Sequence, residues 1–570
     1  MRHRLTALAL LAALATPAVA QDTPLTLDQA MAHPDWIGPP VESAWWSLDG
    51  TRAHYTLKRE GSPVRDTWTV PVAGGEPVRV EGAAQAELDA AQPVYDASRR
   101  RALFVRNGDV FLRQVGGPLQ QLTRSAEAEA APRFAADGRG VVWRVGNDWF
   151  RWSPDTRLAQ PVALPRAEKD PAAAPEPDAL RDHQLRLSAA LAREKQQREA
   201  LRDEAEANRR SDPTRAAAPV YLGDKVDIAD STLSPDGRWL LVVTTAKGAD
   251  TGRVGKMPKY VTESGYEEAE DVRVRVGRNP PLGHQLKLVD LRDNSVRDLP
   301  LSALPGITTD PLAALRKAAR LEPLAGERTV RVDAMQWNAD GSGVALMARA
   351  VDNKDRWIAT VDFAGGKLVP AHRLTDDAWI NWDFNDFGWL PGGRTLWFLS
   401  EESGYSHLYT TVPGAGSRRL TSGRWEASSP VWSPDGATAY VLCNRERPAD
   451  YEVSAVPGNG GEVREITALD GVEDFSLSPD GRQLLLRWSA HHTPPQLAVQ
   501  AVQAVAGGDA VKLTDTRSAG FKARTWLAPQ MVRVPSKHGA GEVWAKLYRP
   551  ATLEAGRKYP VVMFVHGAGY

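Results

Sequence analysis

Short apolar runs recur along the chain, each introduced by a compact polar turn. The turn has one composition: a large apolar residue, a small polar residue or Ala, a variable residue, Asp and Gly. It reads "WSLDG" from Trp46, "FAADG" from Phe134, "LSPDG" from Leu233, "WNADG" from Trp337, "WSPDG" from Trp432 and "LSPDG" from Leu477. "YDASR" from Tyr95 and "WLPGG" from Trp389 are degenerate copies in the same slots. Pro pre-sets φ, Asp bonds its own downstream backbone, and Gly takes the positive φ that closes a tight hairpin. After each turn comes a strand-like run such as "RWLLVVTT", "GVALMARA" or "QLLLRWS". A second run, a Gly-containing turn and a short "xLT" ending follow, as in "QQLTR", "HRLTD", "RRLTS" and "VKLTD". Each unit therefore predicts a four-stranded antiparallel meander, at the roughly 40–50-residue period of propeller blades. The fold class is mainly β, a seven- or eight-bladed β-propeller. A β-sandwich with chance turns is the rival, but sandwiches do not repeat the whole phrase.

Two spacings are too wide for one blade. Between Phe134 and Leu233, about residues 165–215, the chain turns Pro/Ala-rich and then strongly helix-forming, with a narrow stripe of Leu180, Leu187, Leu191 and Leu201. This predicts a solvated helical insertion, either a plain excursion between blades or an arm for a partner subunit. Between Leu233 and Trp337, "KYVTESGYEEAEDVRVRVGRNPP" predicts a second excursion over one face of the ring.

Charge narrows the function. Lys+Arg is 70 and Asp+Glu 71 among 570 residues, a net charge of -1, which argues against a nucleic-acid partner. The single cysteine, Cys443, excludes an intrachain disulfide and a Cys-based metal site. His407 reads as packed structure. The pair His491 and His492 lacks a carboxylate or further His at ligand spacing, so no metal and no cofactor is expected. The opening "MRHRLTALALLAALATPAVAQD" has a basic start, an apolar core and Ala18-Val19-Ala20, so a signal peptide over residues 1–20 and a periplasmic or secreted product are expected. No span is expected after cleavage.

The last 35 residues change register. "PVVMFV" reads as a strand buried on both faces, followed directly by His566-Gly567-Ala568-Gly569. The turn repeat, "LSEESGYSHLYTT" (Leu399 to Thr411) and "KYPVVMFVHGAG" together resemble the prolyl oligopeptidase family of serine peptidases, in particular its dipeptidyl-peptidase IV-like branch. The resemblance implies a propeller over 21–535 and, over 536–570, the start of an α/β-hydrolase domain. It implies that His566 and Gly567 belong to the oxyanion-hole loop; the branch carries a Tyr where His566 stands, so the hole would lean on backbone N–H groups. It implies that Glu267 and Glu268, in "GYEEAED", bind the free amine of a peptide substrate, although Ser264-Gly265 departs from the branch's flanking pattern and an acidic surface pair has the same look. It allows a homodimer in the intact enzyme. No Gly-x-Ser-x-Gly occurs in these residues, so the Ser, Asp and His of a triad are expected beyond Tyr570, and the chain as written is expected to be inactive. The expected function is the propeller portion of an exported exopeptidase that releases N-terminal dipeptides or acts on short peptides. The competing expectation is a non-enzymatic TolB-like propeller that binds protein or peptide partners.

Overall fold

The computed structural model describes residues 25–173, 176, 178–212, 214–248, 253–274, 282–504, 506, 508, 510–539 and 541–565. Eight antiparallel meanders follow one another: blades 1 to 8 over 41–79, 94–121, 129–166, 226–299, 330–375, 387–419, 427–465 and 472–512. The count resolves the seven-or-eight alternative in favour of eight, and the two degenerate turns are those of blades 2 and 6.

The polar turn closes the first hairpin of each blade by the same two backbone bonds, and in blades 1, 4, 7 and 8 the serine that follows the large apolar residue adds a bond to the turn's aspartate. In blade 1, Ser47 Oγ donates to Asp49 Oδ1 at 2.6 Å and accepts from the Arg52 N–H at 3.0 Å, while the Gly50 N–H donates to Ser47 O at 2.9 Å. Ser433 with Asp435 and Ser478 with Asp480 repeat the hydroxyl–carboxylate bond at 2.6 Å in blades 7 and 8. Asn338 substitutes for the serine in blade 5, its Oδ1 accepting from the Gly343 N–H at 3.0 Å. In blade 2 the glycine slot is held by Arg99, at φ +54°, and its N–H still reaches Asp96 O at 2.9 Å. Neighbouring turns touch. A Cβ added at Gly341, Gly436 or Gly481 would lie 3.0–3.2 Å from a proline ring of the preceding blade's turn, Pro235, Pro391 or Pro434.

No single core fills the molecule. Eight apolar clusters lie among the described residues, one at each junction of successive blades. The strand Val344–Ala350 explains how. Val344, Leu346, Ala348 and Ala350 point toward blade 4, and Ala345 and Met347 toward blade 6. Alternation buries both faces, so an inner strand reads as a continuous apolar run. In six blades the first strand carries a register shift against the second, as between Ile228 and Asp230 or Val332 and Ala334. These bulges add twist to sheets that must radiate from a ring.

The ring closes without a shared strand. Blades 1 and 8 are each built from one contiguous stretch, so the seam is held by side chains. Val41, Trp46, Tyr55 and Val70 pack on Leu485, Leu497, Val499 and Leu513. Trp46 Nε1 donates to Ser476 O at 3.1 Å. The two ends then clasp: Thr516 Oγ1 donates to Pro39 O at 2.6 Å, Ser518 Oγ to Trp36 O at 2.7 Å, and the Ser518 N–H to Ile37 O at 2.9 Å. Trp36 and Trp526 flank Phe521, with centroids 5.5 and 4.4 Å from its ring.

Two additions and one difference complete the fold. The chain between blades 3 and 4 forms the helices Ala179–Leu187 and Ala189–Ser211, then returns as Pro219–Tyr221, a fifth strand parallel to Ala159–Arg166. After blade 8, Gln530–Pro535 pairs with Glu542–Leu547 in a separate hairpin that straddles residue 535. The expected strand Val561–Val565 has no pairing partner, and its side chains are 79–96% exposed. An apolar run becomes a strand only where another edge accepts its backbone bonds, and none of the described residues offers one.

The clasp makes a testable point of Gly38. It sits at φ +111°, and a Cβ there would stand 2.2 Å from Thr516 O. Gly38→Ala is expected to destabilise the protein by about 1–3 kcal/mol in denaturant unfolding. Gly74→Ala, where nothing lies within 4 Å, should cost less. Equal costs would mean that the clasp does not hold the seam.

Candidate functional site

Strand order assigns every connection to a side of the ring. In a four-stranded meander, the first and third turns leave from one side; the second turn and the link to the next blade leave from the other. The Asp-Gly turns mark the first side. The helical insertion, the 376–386 connection and the links after blade 8 therefore leave from the opposite side. So does the hairpin Val254–Lys259/Glu268–Val274, which interrupts blade 4 between its second and third strands. All the elaborations share one face.

Glu267 and Glu268 lie at the tip of that blade 4 hairpin. Gly265, at φ +76°, turns the chain, and Thr262 Oγ1 donates to Tyr266 O at 2.6 Å. Glu268 Oε1 accepts from Ser264 Oγ at 2.7 Å, while Glu267 has no bonded partner among the described residues. Lys256 pairs with Asp271 and Lys259 with Glu270 along the stem. Tyr260, Val261 and Tyr266 are exposed around the carboxylates. The tip thus presents two adjacent carboxylates and two aromatic rings to solvent, a set that suits an ammonium group. No bond or ion pair from elsewhere in the ring reaches its carboxylates among the described residues. His566 and Gly567 lie outside the described residues.

The remaining candidates are structural. His407 is buried, with Nδ1 3.1 Å from Thr421 Oγ1 and Nε2 3.1 Å from Gly423 O, and burial holds its pKa below the ordinary value. His492 stacks on Trp526 at 5.3 Å, and its Nε2 lies 3.0 Å from Leu527 O. Burial pushes the Cys443 thiol up to about 11, which leaves it inert. Among the described residues no group of three or more His, Cys, Asp or Glu could hold a metal ion, and no helix is long and apolar enough to cross a membrane.

The same face carries features that sequence reasoning missed. A cleft of about 560 Å³ runs across blades 7 and 8, walled by Phe384, Tyr451, Asp470, Glu473, His491 and Lys546. Beside it, the turn Glu401–Ser406 of blade 6 sits over a fully buried arginine, Arg356, reached through His372 and Glu402. One signal was present: an arginine inside the apolar strand "DRWIATVD" needs partners. Those partners come from 16 to 43 residues away, which no local pattern reveals. On the turn itself, burial and the nearby Glu426 and Asp376 carboxylates raise the Glu401 pKa, whereas the bond from His372 lowers that of Glu402.

Comparison with known proteins bears on this geometry. Residues 317–495, which take in blades 5 to 7 and the first two strands of blade 8, match the family model of the dipeptidyl peptidase IV (DPP IV) N-terminal region. The matched segment contains Arg356, His372, Glu401 and Glu402 but not Glu267 or Glu268. An uncharacterized peptidase, YuxL of Bacillus subtilis (strain 168), is 29% identical over 170 residues, 27% of this chain and 23% of that protein. The fold is similar to that of Porphyromonas gingivalis dipeptidyl peptidase 4, with a TM-score of 0.51 at 15% identity over 90% of this chain and 65% of that one. It is similar as well to a putative dipeptidyl aminopeptidase IV from Bacteroides ovatus, with a TM-score of 0.52 at 11% identity over 92% and 67% of the two chains. The chain thus spans about two thirds of the solved structures it resembles and aligns with under a quarter of the curated relative. Its eight-bladed ring and these likenesses agree: residues 317–495 match the dipeptidyl peptidase IV N-terminal region, and the chain shares its fold with two dipeptidyl peptidase structures.

Proposed function

We propose that this propeller is the substrate-admitting part of an exported serine peptidase that releases dipeptides from free N-termini or acts on short peptides. The observation that carries the reading is the family match across blades 5 to 8, in a ring whose elaborations all leave from one face. A ring of that kind restricts access to extended or short chains. The Glu267–Glu268 tip grips the substrate ammonium and so sets the cut two residues in. The His566–Gly567 loop donates backbone N–H groups to the oxyanion of the acyl-transfer step. The product is periplasmic or secreted, with Gln21 as the first residue after signal removal.

Three measurements test this reading. N-terminal sequencing of the mature protein should give Gln21; a retained Met1 would contradict export. The 570-residue chain has no Gly-x-Ser-x-Gly, so it should take no label from a fluorophosphonate probe. Protein expressed from the gene's whole reading frame should take the label and release dipeptide from chromogenic dipeptidyl substrates. If neither form is labelled or cleaves peptides, the non-enzymatic binding propeller is the better description. For the clamp, replacing Glu267 or Glu268 by Gln in the active enzyme should lower kcat/KM by about tenfold or more. The reason is that a hydrogen bond to a charged group is worth ~1.5–3 kcal/mol. N-acetylated substrates should be poor for the parent enzyme. Unchanged kinetics in both variants would remove these residues from the site.

A further inference from the structure

Among the described residues Arg356 is the largest charged side chain that is fully buried, at 0% accessible surface. It stands on Asp355–Asp362 of blade 5. One guanidinium nitrogen, Nη1, donates to Asn385 Oδ1 at 2.6 Å and Leu399 O at 2.8 Å. The other, Nη2, lies 3.2 Å from His372 Nδ1. An arginine has donors only. Nδ1 must therefore accept, and the ring proton sits on Nε2, which donates to Glu402 Oε2 at 2.7 Å. The Phe398 ring, 4.2 Å away centroid to centroid, covers the imidazole. Glu402 also lies 3.3 Å from Ser400 Oγ.

The chain of bonds joins two blades. Arg356 and His372 belong to blade 5; Leu399 and Glu402 belong to blade 6; Asn385 lies in the 376–386 connection. It ends at the turn Glu401–Ser406, on the face that carries the insertions. Only a neutral imidazole permits it. A proton on Nδ1 would set an N–H against a guanidinium N–H at 3.2 Å and place two cations in contact inside the protein, where little solvent screens their repulsion.

We propose that His372 is an acid-operated latch between blades 5 and 6: protonation at Nδ1 breaks its bond to Arg356, and the imidazolium, still held by Glu402, is driven off the buried guanidinium and carries the Glu401–Ser406 turn with it, on the face that carries the insertions. The sign follows from the surroundings. Burial, and after it the Arg356 charge, disfavour the imidazolium; Glu402 favours it, and the balance lies below the ordinary value of 6.5. The latch is thus fully closed above pH 6.5 and is lost as pH falls through the lowered value. The other charged groups around it are Glu401, Asp386 and Glu426, whose carboxyls are raised by burial, and Asp376, which faces Glu401. On the neighbouring strand positions, Arg373 is tied to Asp355 at 2.6 Å. An acid effect at the turn could therefore arise from carboxyls instead, and the test separates the two.

The experiment is amide hydrogen exchange of residues 401–406 in the 570-residue chain between about pH 7.5 and about pH 4.5, corrected for intrinsic rates, alongside NMR titration of His372. Protection should fall by about tenfold or more with the same midpoint as His372. In His372→Gln, the amide oxygen can accept from Arg356 and the amide nitrogen can donate to Glu402, without titrating; the acid loss should vanish. In Glu402→Gln, the carboxylate that favours the imidazolium is gone, so the midpoint should move to lower pH. That second variant keeps the question open to test if the first does not fold. Persistence of the acid loss in His372→Gln would assign it to Glu401 or Glu426 and overturn the latch. So would His372 titrating with no change in protection, or an unmoved midpoint in Glu402→Gln.

Discussion

The backbone bond pair that closes the polar turn of every blade is the interaction on which the rest of this structure depends. It fixes the first hairpin of a blade in one register, and in blades 1, 4, 7 and 8 a serine hydroxyl bonded to the turn's aspartate reinforces it. A one-residue slip would send every side chain of the second strand to the wrong face. Correct register in each blade lets both faces of its inner strands become apolar, and this allows eight separate clusters to replace one core. The turns also pack glycine against proline from blade to blade, so all of them lie on one side. The long connections are thereby sent to the other side, where they have room to grow.

Closure sets a second constraint. Seven junctions join neighbours in sequence, but the eighth must join blade 1 to blade 8. Burying four large side chains from each blade there stabilises the seam, at ~1.5–3 kcal/mol for each fully buried aliphatic or aromatic group. The Trp36–Phe521–Trp526 clasp continues that packing past the sheets. Because no strand crosses the seam, side-chain fit and the hydrogen-bonded clasp of residues 36–39 with 516–518 decide whether the ring is closed. A glycine with no room for a Cβ at residue 38 is the consequence.

The turn chemistry was legible in the sequence because it is local: five residues carry the whole signal, and even the degenerate copies at Tyr95 and Trp389 fell in the right slots. The helical insertion was legible for the same reason, from composition and period. What the sequence did not disclose was non-local. The parallel strand Pro219–Tyr221 pairs across the whole insertion. The partners of Arg356 come from another strand, a connection and another blade. Val561–Val565 stands unpaired among the described residues, because an apolar run specifies a preference for pairing, not the presence of a partner. Glu267 and Glu268 were singled out by resemblance alone, and the structure places them on an open hairpin tip, apart from the segment that carries the family match.

These pieces bear on how the fold serves the peptide chemistry proposed for it. Rigid turns on one side hold the ring, and the other side carries the hairpin with its paired carboxylates, the cleft beside Lys546 and the turn over Arg356. The central claim is that the second side is where peptide is handled. Hydrogen–deuterium exchange of the chain with and without a saturating peptide bearing a free N-terminus tests it most directly. The account predicts new protection in 254–274, 376–386 and 400–406, with the turns at 47–50, 234–237, 433–436 and 478–481 unchanged. Protection confined to those turns would contradict it.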